Sequence, residues 1–291
     1  MRVLAVVASA RKTGNSEILA KEMLAALPES VEKKLIRLTD FRIEPCQACY
    51  ACLPAGKGCI IQDDFDAFLQ QVREADAIIL ASPVYFLGMH TRLKLLCDRL
   101  ISVLNEATVY AGRHCVVAVP YGVEGWQGYG VEATVSFARF LHLDVVGVLP
   151  VHAANPGEVI QPEILERARG VANLLLSCME DAPEALKIHA VRQAIKPDDI
   201  TCDACGSGIV RFTGKGDVRC VICGATGKIH AEGTQEDSAV QCEWDVPERF
   251  RYSAAGMAEH AQRLEDIKAE FVARRQELSE LRKPYKGESK G

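Results

Sequence analysis

Along roughly the first 180 residues, apolar positions fall into two alternating rhythms. Residues 3–7, 77–80, 115–119 and 145–149 are short unbroken apolar runs, the pattern of strands buried on both faces, and residues 34–38 form a weaker one. Between the runs, apolar residues return at helical spacing. Ile18, Leu19, Met23 and Leu27 stripe residues 15–27, and Phe65, Phe68, Leu69 and Val72 stripe a segment starting at Asp64. Leu93, Leu96, Leu100 and Leu104 predict one helix over 91–104, and residues 131–141 and 162–179 predict two more. Strands that alternate with helices predict a parallel sheet joined by right-handed crossovers and covered on both faces.

The count and lengths of these elements fit an α/β fold, a flavodoxin-like, doubly wound, five-stranded parallel sheet spanning residues 1–180. The rhythm then changes. Residues 181–197 are a mixed connector, and residues 198–232 are short and rich in glycine and cysteine, a small zinc-ribbon-like β unit. Residues 233–291 are a C-terminal extension with a helix at about 253–282. Its Leu264, Ile267, Phe271, Leu278 and Leu281 form a narrow heptad-like seam. Such a seam suits either a helix lying on its own domain or one that meets a second copy.

Composition narrows the class. The chain is 48% hydrophobic and 25% charged, the values of a globular protein, and its net charge of −5 gives no footing for a general nucleic-acid or membrane-surface binder. No apolar run approaches the ~18 residues of a membrane span, and residues 3–7 are too short for the apolar core of a secretory signal. A cytoplasmic protein with reduced thiols is the expectation. That matters because eight of the twelve cysteines fall into two quartets.

In an open α/β sheet, ligands sit beyond the carboxyl ends of the strands, so three loops hold the candidate site. After the first strand, Ser9, Arg11, Thr13, Gly14, Asn15 and Ser16 lead into a helix. Hydroxyls, an arginine and free N–H groups at a helix start are what a phosphate requires, though a polar helix cap would look similar. After the third strand, Pro83, Val84, Tyr85, Phe86 and Gly88 make an ordered apolar turn that suits a flat hydrophobic ligand. After the fourth, Tyr121, Gly122, Glu124, Gly125 and Trp126 combine glycines with aromatics, again fitting close approach to a planar group.

The first quartet is Cys46, Cys49 and Cys52 in C-x2-C-x2-C spacing, with Cys59 further along. Three thiolates so spaced can face inward around a [4Fe–4S] cubane; a zinc site and unmetallated thiols are the alternatives. The second quartet is two C-x2-C-G knuckles, Cys202 with Cys205 and Cys220 with Cys223, on either side of a hairpin pattern. That spacing makes a tetrahedral zinc site, with a rubredoxin-like iron as the competing occupant.

Ser9, Arg11, Gly14, Asn15 and Ser16, followed in register by the run 82–86, resemble the NAD(P)H-dependent FMN reductase family of flavodoxin-like proteins. The first cysteine quartet resembles the compact motif of the iron–sulfur flavoprotein branch, as do Pro45 and the pair Asp63-Asp64. The resemblance implies that residues 9–16 hold the FMN phosphate, residues 83–88 meet the isoalloxazine, and residues 121–128 form a third wall. It implies an oxidoreductase that exchanges electrons between FMN and a [4Fe–4S] cluster, assembled as a homodimer or homotetramer. The donor would be NAD(P)H or a small redox protein of ferredoxin type, and the acceptor a small molecule or a protein. No catalytic acid or base is required. Two other functions stay open: an NAD(P)H-dependent FMN or quinone reductase without a cluster, and a flavin-based sensor whose ribbon binds a protein or nucleic acid. For the second, the ribbon's Arg211, Lys215, Arg219 and Lys228 are offset by Asp203 and Asp217.

Overall fold

The computed structural model describes residues 1–53, 57–180, 200–232 and 239–283. The connector expected at 181–197 lies outside them. Five parallel strands run in the order β2 (Glu32–Arg37), β1 (Arg2–Val7), β3 (Ala77–Ala81), β6 (His114–Tyr121) and β7 (Asp144–His152). This is the flavodoxin-like order, with the sequence reversing direction across the sheet between β1 and β3. Period-two alternation divides the apolar runs between two cores. Val3, Ala5 and Val7 join α1 (Asn15–Ala26) and α6 (Pro162–Met179) on one face. Leu4 and Val6 join α2 (Phe65–Arg73), α3 (Thr91–Cys97) and α5 (Gly130–Phe140) on the other.

Two strands of two residues each, β4 (Val84–Tyr85) and β5 (Gly88–Met89), form a tight hairpin beside the carboxyl edge. The single helix expected over 91–104 is divided. It stops at Cys97 and resumes as a 3-10 turn over Leu100–Val103. The break turns Arg99 inward, where its side chain is fully buried against Asp63. Apolar periodicity carries no sign of this, because the leucines keep their spacing across the break.

The cysteine-rich unit is a four-stranded antiparallel sheet, β8 (Val210–Gly214) through β11 (Ala239–Asp245). It docks on α5. Phe140 meets the ring of Tyr252 edge-on at 5.1 Å, the Tyr252 hydroxyl donates to Ser136 Oγ at 2.7 Å, and Arg139 donates to the Cys205 carbonyl at 3.4 Å. From there the helix Ala254–Ala273 returns to the main domain, capped by Ser253 Oγ accepting from Gly256 N–H at 3.0 Å. Met257 and Ala261 are buried with Leu104, and Leu264 packs alongside. Further along, Ile267 and Phe271 are exposed, so the seam rests on its own domain at one end and leaves it at the other. Among the described residues, no helix is long and apolar enough to cross a membrane.

Candidate functional site

The carboxyl ends of β1, β3 and β6 open onto a cavity of about 470 Å³, a size suited to a small-molecule ligand. Its lining brings together Ser9, Arg11, Gly14, Asn15 and Ser16, then Pro83, Val84, Tyr85 and Phe86, then Tyr121, Gly122 and Trp126. Thr13, Gly88, Glu124 and Gly125 lie in the same loops but outside this lining. Thr13 sits at φ 53° and its hydroxyl donates to the Lys12 carbonyl at 2.7 Å, so it is spent within the loop.

The polar end is at the start of α1. Gly14 caps the helix with no side-chain acceptor, which leaves the first-turn N–H groups facing the cavity end of the dipole. The Ser16 hydroxyl there is buried and has no hydrogen-bond partner, and the Ser82 hydroxyl at the end of β3 is in the same state. Buried hydroxyls normally find a partner, so the Ser16 orphan in the cavity lining fits a ligand that accepts from it, whereas Ser82 lies outside that lining. Asn15 serves differently from a direct donor. Its amide donates to the carbonyls of Ala153 and Asn155 at 3.1 and 2.9 Å and accepts from Gly157 at 2.8 Å, tying the loop after β7 to the phosphate-type loop.

Beneath that loop lies Glu17, which nothing in the apolar pattern marks. Its carboxylate is fully buried, accepts from Thr13 N–H at 2.9 Å, and pairs with Lys21 at 2.7 Å and with Arg37. Burial pulls its pKa upward, but the hydrogen bonds from Lys21, Thr13 and Arg37 outweigh it and hold the group down at about 2. An ionised carboxylate thus clamps the loop from below.

The apolar end is strained and open. Phe86 and Leu87 both have positive φ, at 47° and 66°, in the two-residue turn between β4 and β5. Such a turn prefers Asn-Gly, so two bulky residues there cost stability and mark a functional constraint. The turn is pinned by Tyr129 N–H donating to the Leu87 carbonyl at 2.9 Å. Gly128 makes this approach possible: a Cβ there would lie 2.4 Å from Leu87. Phe86 and Trp126 stand exposed at the mouth.

The two cysteine quartets differ in geometry. In the ribbon, the Sγ atoms of Cys202, Cys205, Cys220 and Cys223 all lie within 4.8 Å of one another, and all four residues are buried. Gly206 and Gly224 close the knuckles at φ 75° and 86°, a conformation open to glycine, which turns each C-x2-C back on itself. Four buried sulfurs gathered on one point, outside the lining of the first cavity, fit one closed metal ion.

In the first quartet, no three sulfurs come that close together. Cys46, Cys49, Cys52 and Cys59 instead line a separate cavity of about 160 Å³ with Ile60, Ile61, Ile101 and Arg99. Burial, then the neighbouring Cys59, Cys49 and Cys46 sulfurs, push the Cys52 thiol up. Four thiols spread around a cavity, rather than gathered on a point, fit a multi-iron cluster better than a single ion. Ala48 and Tyr50 hold this loop at φ 49° and 54°, and Lys268 of the C-terminal helix donates to the Tyr50 carbonyl at 2.9 Å.

Residues 1–152 match the family described as NADPH-dependent FMN reductase. An iron–sulfur flavoprotein of Methanocaldococcus jannaschii is 44% identical over 100 residues, which are 34% of this chain and 51% of that protein. One from Archaeoglobus fulgidus is 30% identical over 186 residues, 64% of this chain and 81% of the other. A solved structure described as a flavone reductase shares the fold over 95% of this chain and 93% of its own, with a TM-score of 0.71 at 18% identity. That likeness takes in the ribbon and the C-terminal extension as well as the sheet.

Proposed function

The chain belongs to the NADPH-dependent FMN reductase family and is related to iron–sulfur flavoproteins, and from that premise we propose that it is an FMN-dependent oxidoreductase passing electrons between FMN and a [4Fe–4S] cluster. The observation that carries the flavin half is the cavity whose polar end holds the orphaned Ser16 hydroxyl and whose apolar end is built by Pro83, Val84 and Tyr85. Ser9, Arg11, Gly14 and Ser16 would hold the phosphate. Residues 83–86 would lie along the isoalloxazine, with Tyr121, Gly122 and Trp126 as the third wall. Cys46, Cys49, Cys52 and Cys59 would ligate the cluster. FMN supplies two-electron acceptance with one-electron release, and a cluster supplies single-electron exchange.

The protein's own part is to bind and orient. The Glu17 clamp fixes the phosphate loop, and the Tyr129–Leu87 bond fixes the ring-side turn. The exposed faces of Tyr85, Phe86 and Trp126 leave a way in for NAD(P)H or a small redox protein as donor. The second quartet would hold one structural zinc. Exposed apolar residues at the cavity mouth and along the C-terminal seam support assembly as a homodimer or homotetramer.

The test is anaerobic purification with a visible spectrum and elemental analysis. One FMN, about four irons and one zinc per chain are expected. Flavin without iron after anaerobic reconstitution would leave an FMN reductase of small acceptors. Iron at the ribbon, lost on replacing Cys205, would make the ribbon rubredoxin-like.

A further inference from the structure

The cavity behind the first cysteine quartet contains a charge that the thiols alone do not explain. Arg99 lines it, and its side chain is completely buried. One end of its guanidinium is accounted for: Nη1 pairs with the Asp63 carboxylate and donates to the Glu44 carbonyl at 3.3 Å. The carboxylate is itself held in place, accepting from the N–H groups of Glu44 at 2.7 Å and Phe65 at 3.1 Å. One face of the guanidinium stacks on Phe65, 4.2 Å from the ring centre. Nε and Nη2 remain, buried and without an oxygen or nitrogen acceptor, and the Cys59 sulfur is the guanidinium's other hydrogen-bonding neighbour.

A buried cation with so few acceptors around it is costly. Burial works against the charge, while Asp63 and the neighbouring Cys59 sulfur hold it charged. Leaving a buried donor unmade costs stability, and more so for a charged group. The chain also breaks a helix at Asp98–Arg99 to bring the residue here. A residue that served only to pair with Asp63 would need neither the break nor a place in the lining of a cavity shared with four thiols. The unmet donors match an anionic, sulfur-rich occupant of the cavity.

We propose that Arg99 is the buried counter-charge of the four-cysteine site, donating from Nε and Nη2 to the sulfurs of the bound cluster and biasing that cluster toward its reduced form. The proposal rests on the cluster reading above. Reduction adds one negative charge to the cluster, so a fixed cation beside it favours the reduced state, and hydrogen bonds to the sulfurs act in the same direction. Asp63 then has two tasks: it holds the guanidinium in place and partly offsets its charge. Arginine suits the position because a planar fork can meet a carboxylate with one edge and sulfur with the other, which a lysine cannot.

The experiment uses the full-length protein reconstituted anaerobically with iron and sulfide. Wild type is compared with Arg99→Lys, Asp63→Asn and the double variant Arg99→Met/Asp63→Asn. Iron is counted per chain, folding is checked by circular dichroism and FMN stoichiometry, and the cluster midpoint is read by an EPR-monitored redox titration. The double variant removes both charges and the fork together. It is expected to shift the oxidised-to-reduced equilibrium at least tenfold toward oxidised, about 59 mV for a one-electron couple. Arg99→Lys, which keeps the charge and loses the fork, is expected to shift it the same way by less. Asp63→Asn, which leaves the cation uncompensated, is expected to shift it toward reduced.

A folded double variant that no longer retains iron supports the contact as well. Redox equilibria within twofold of wild type, about 18 mV in the midpoint, in Arg99→Lys and Asp63→Asn at equal iron content overturn the proposal even if the double variant fails to fold. If wild type itself takes up no iron, the cluster reading falls and takes this role with it, and the iron count separates that outcome from failure of Arg99 alone.

Discussion

The orphaned hydroxyl of Ser16 gives the sharpest test of where the flavin phosphate sits. In the protein without ligand, this hydroxyl is buried and unpaired. Replacing it with a methyl group, Ser16→Ala, removes no hydrogen bond from the ligand-free state. Stability of that state is therefore expected to be unchanged or to rise by up to about 1 kcal/mol, since an unsatisfied buried polar group is relieved. FMN affinity is expected to move the other way. A hydrogen bond to a charged group contributes about 1.5–3 kcal/mol, so the dissociation constant should rise roughly 10- to 150-fold. Riboflavin has the same ring and no phosphate, and its affinity should be the same in both proteins. The assay is quenching of flavin fluorescence on titration, with urea denaturation of the flavin-free protein alongside. Equal FMN affinity in the two proteins would refute the placement. A matching loss of riboflavin affinity would show that the substitution distorts the cavity rather than removing a phosphate contact.

Other outcomes follow from the same geometry. The Glu17 carboxyl is held down at about 2, below the ordinary 4.5 of a glutamate, so its ionised form stabilises the fold. That stabilisation is complete above about pH 4.5 and is lost as pH falls through about 2. Glu17→Gln should therefore cost about 3 kcal/mol at pH 7, with a gap from wild type that narrows below pH 4.5 in denaturant titrations; a gap independent of pH would refute the clamp. The double substitution Phe86→Asn/Leu87→Gly should raise stability by about 1–2 kcal/mol by relieving the left-handed turn, while weakening FMN binding; calorimetry and flavin titration check the two arms. Cys205→Ser should abolish the ribbon's metal by elemental analysis and lower the protease resistance of residues 200–232, while FMN still binds at the separate first cavity.

The sheet and its order were legible in the chain because a strand buried on both faces has to be written as an unbroken apolar run, and helices between such runs leave few ways to connect them. The three edge loops were legible for a related reason. Once the strands are placed, the carboxyl edge follows, and Ser9–Ser16, 83–88 and 121–126 meet there whatever their own conformations. The ribbon quartet was the most local signal of all, since two knuckles with glycines at fixed offsets bring four sulfurs together almost unaided.

What the chain did not show depends on contacts distant in sequence. Glu17 is an unremarkable acid in a helix until the fold places Arg37 above it. Arg99 sits in a stretch that reads as one helix, and its buried pairing with Asp63, 36 positions away, goes with a break that periodicity does not show. Lys268 reaches Tyr50 across 218 positions. Periodicity and short motifs report which face a residue presents and what its immediate neighbours can do. They do not report which buried charges find partners, because that is settled only when separate elements pack. The sequence by itself therefore determined the sheet, the loops that border the cavity and the two sets of thiols. The tertiary structure decided which buried polar groups find partners within the protein and which do not.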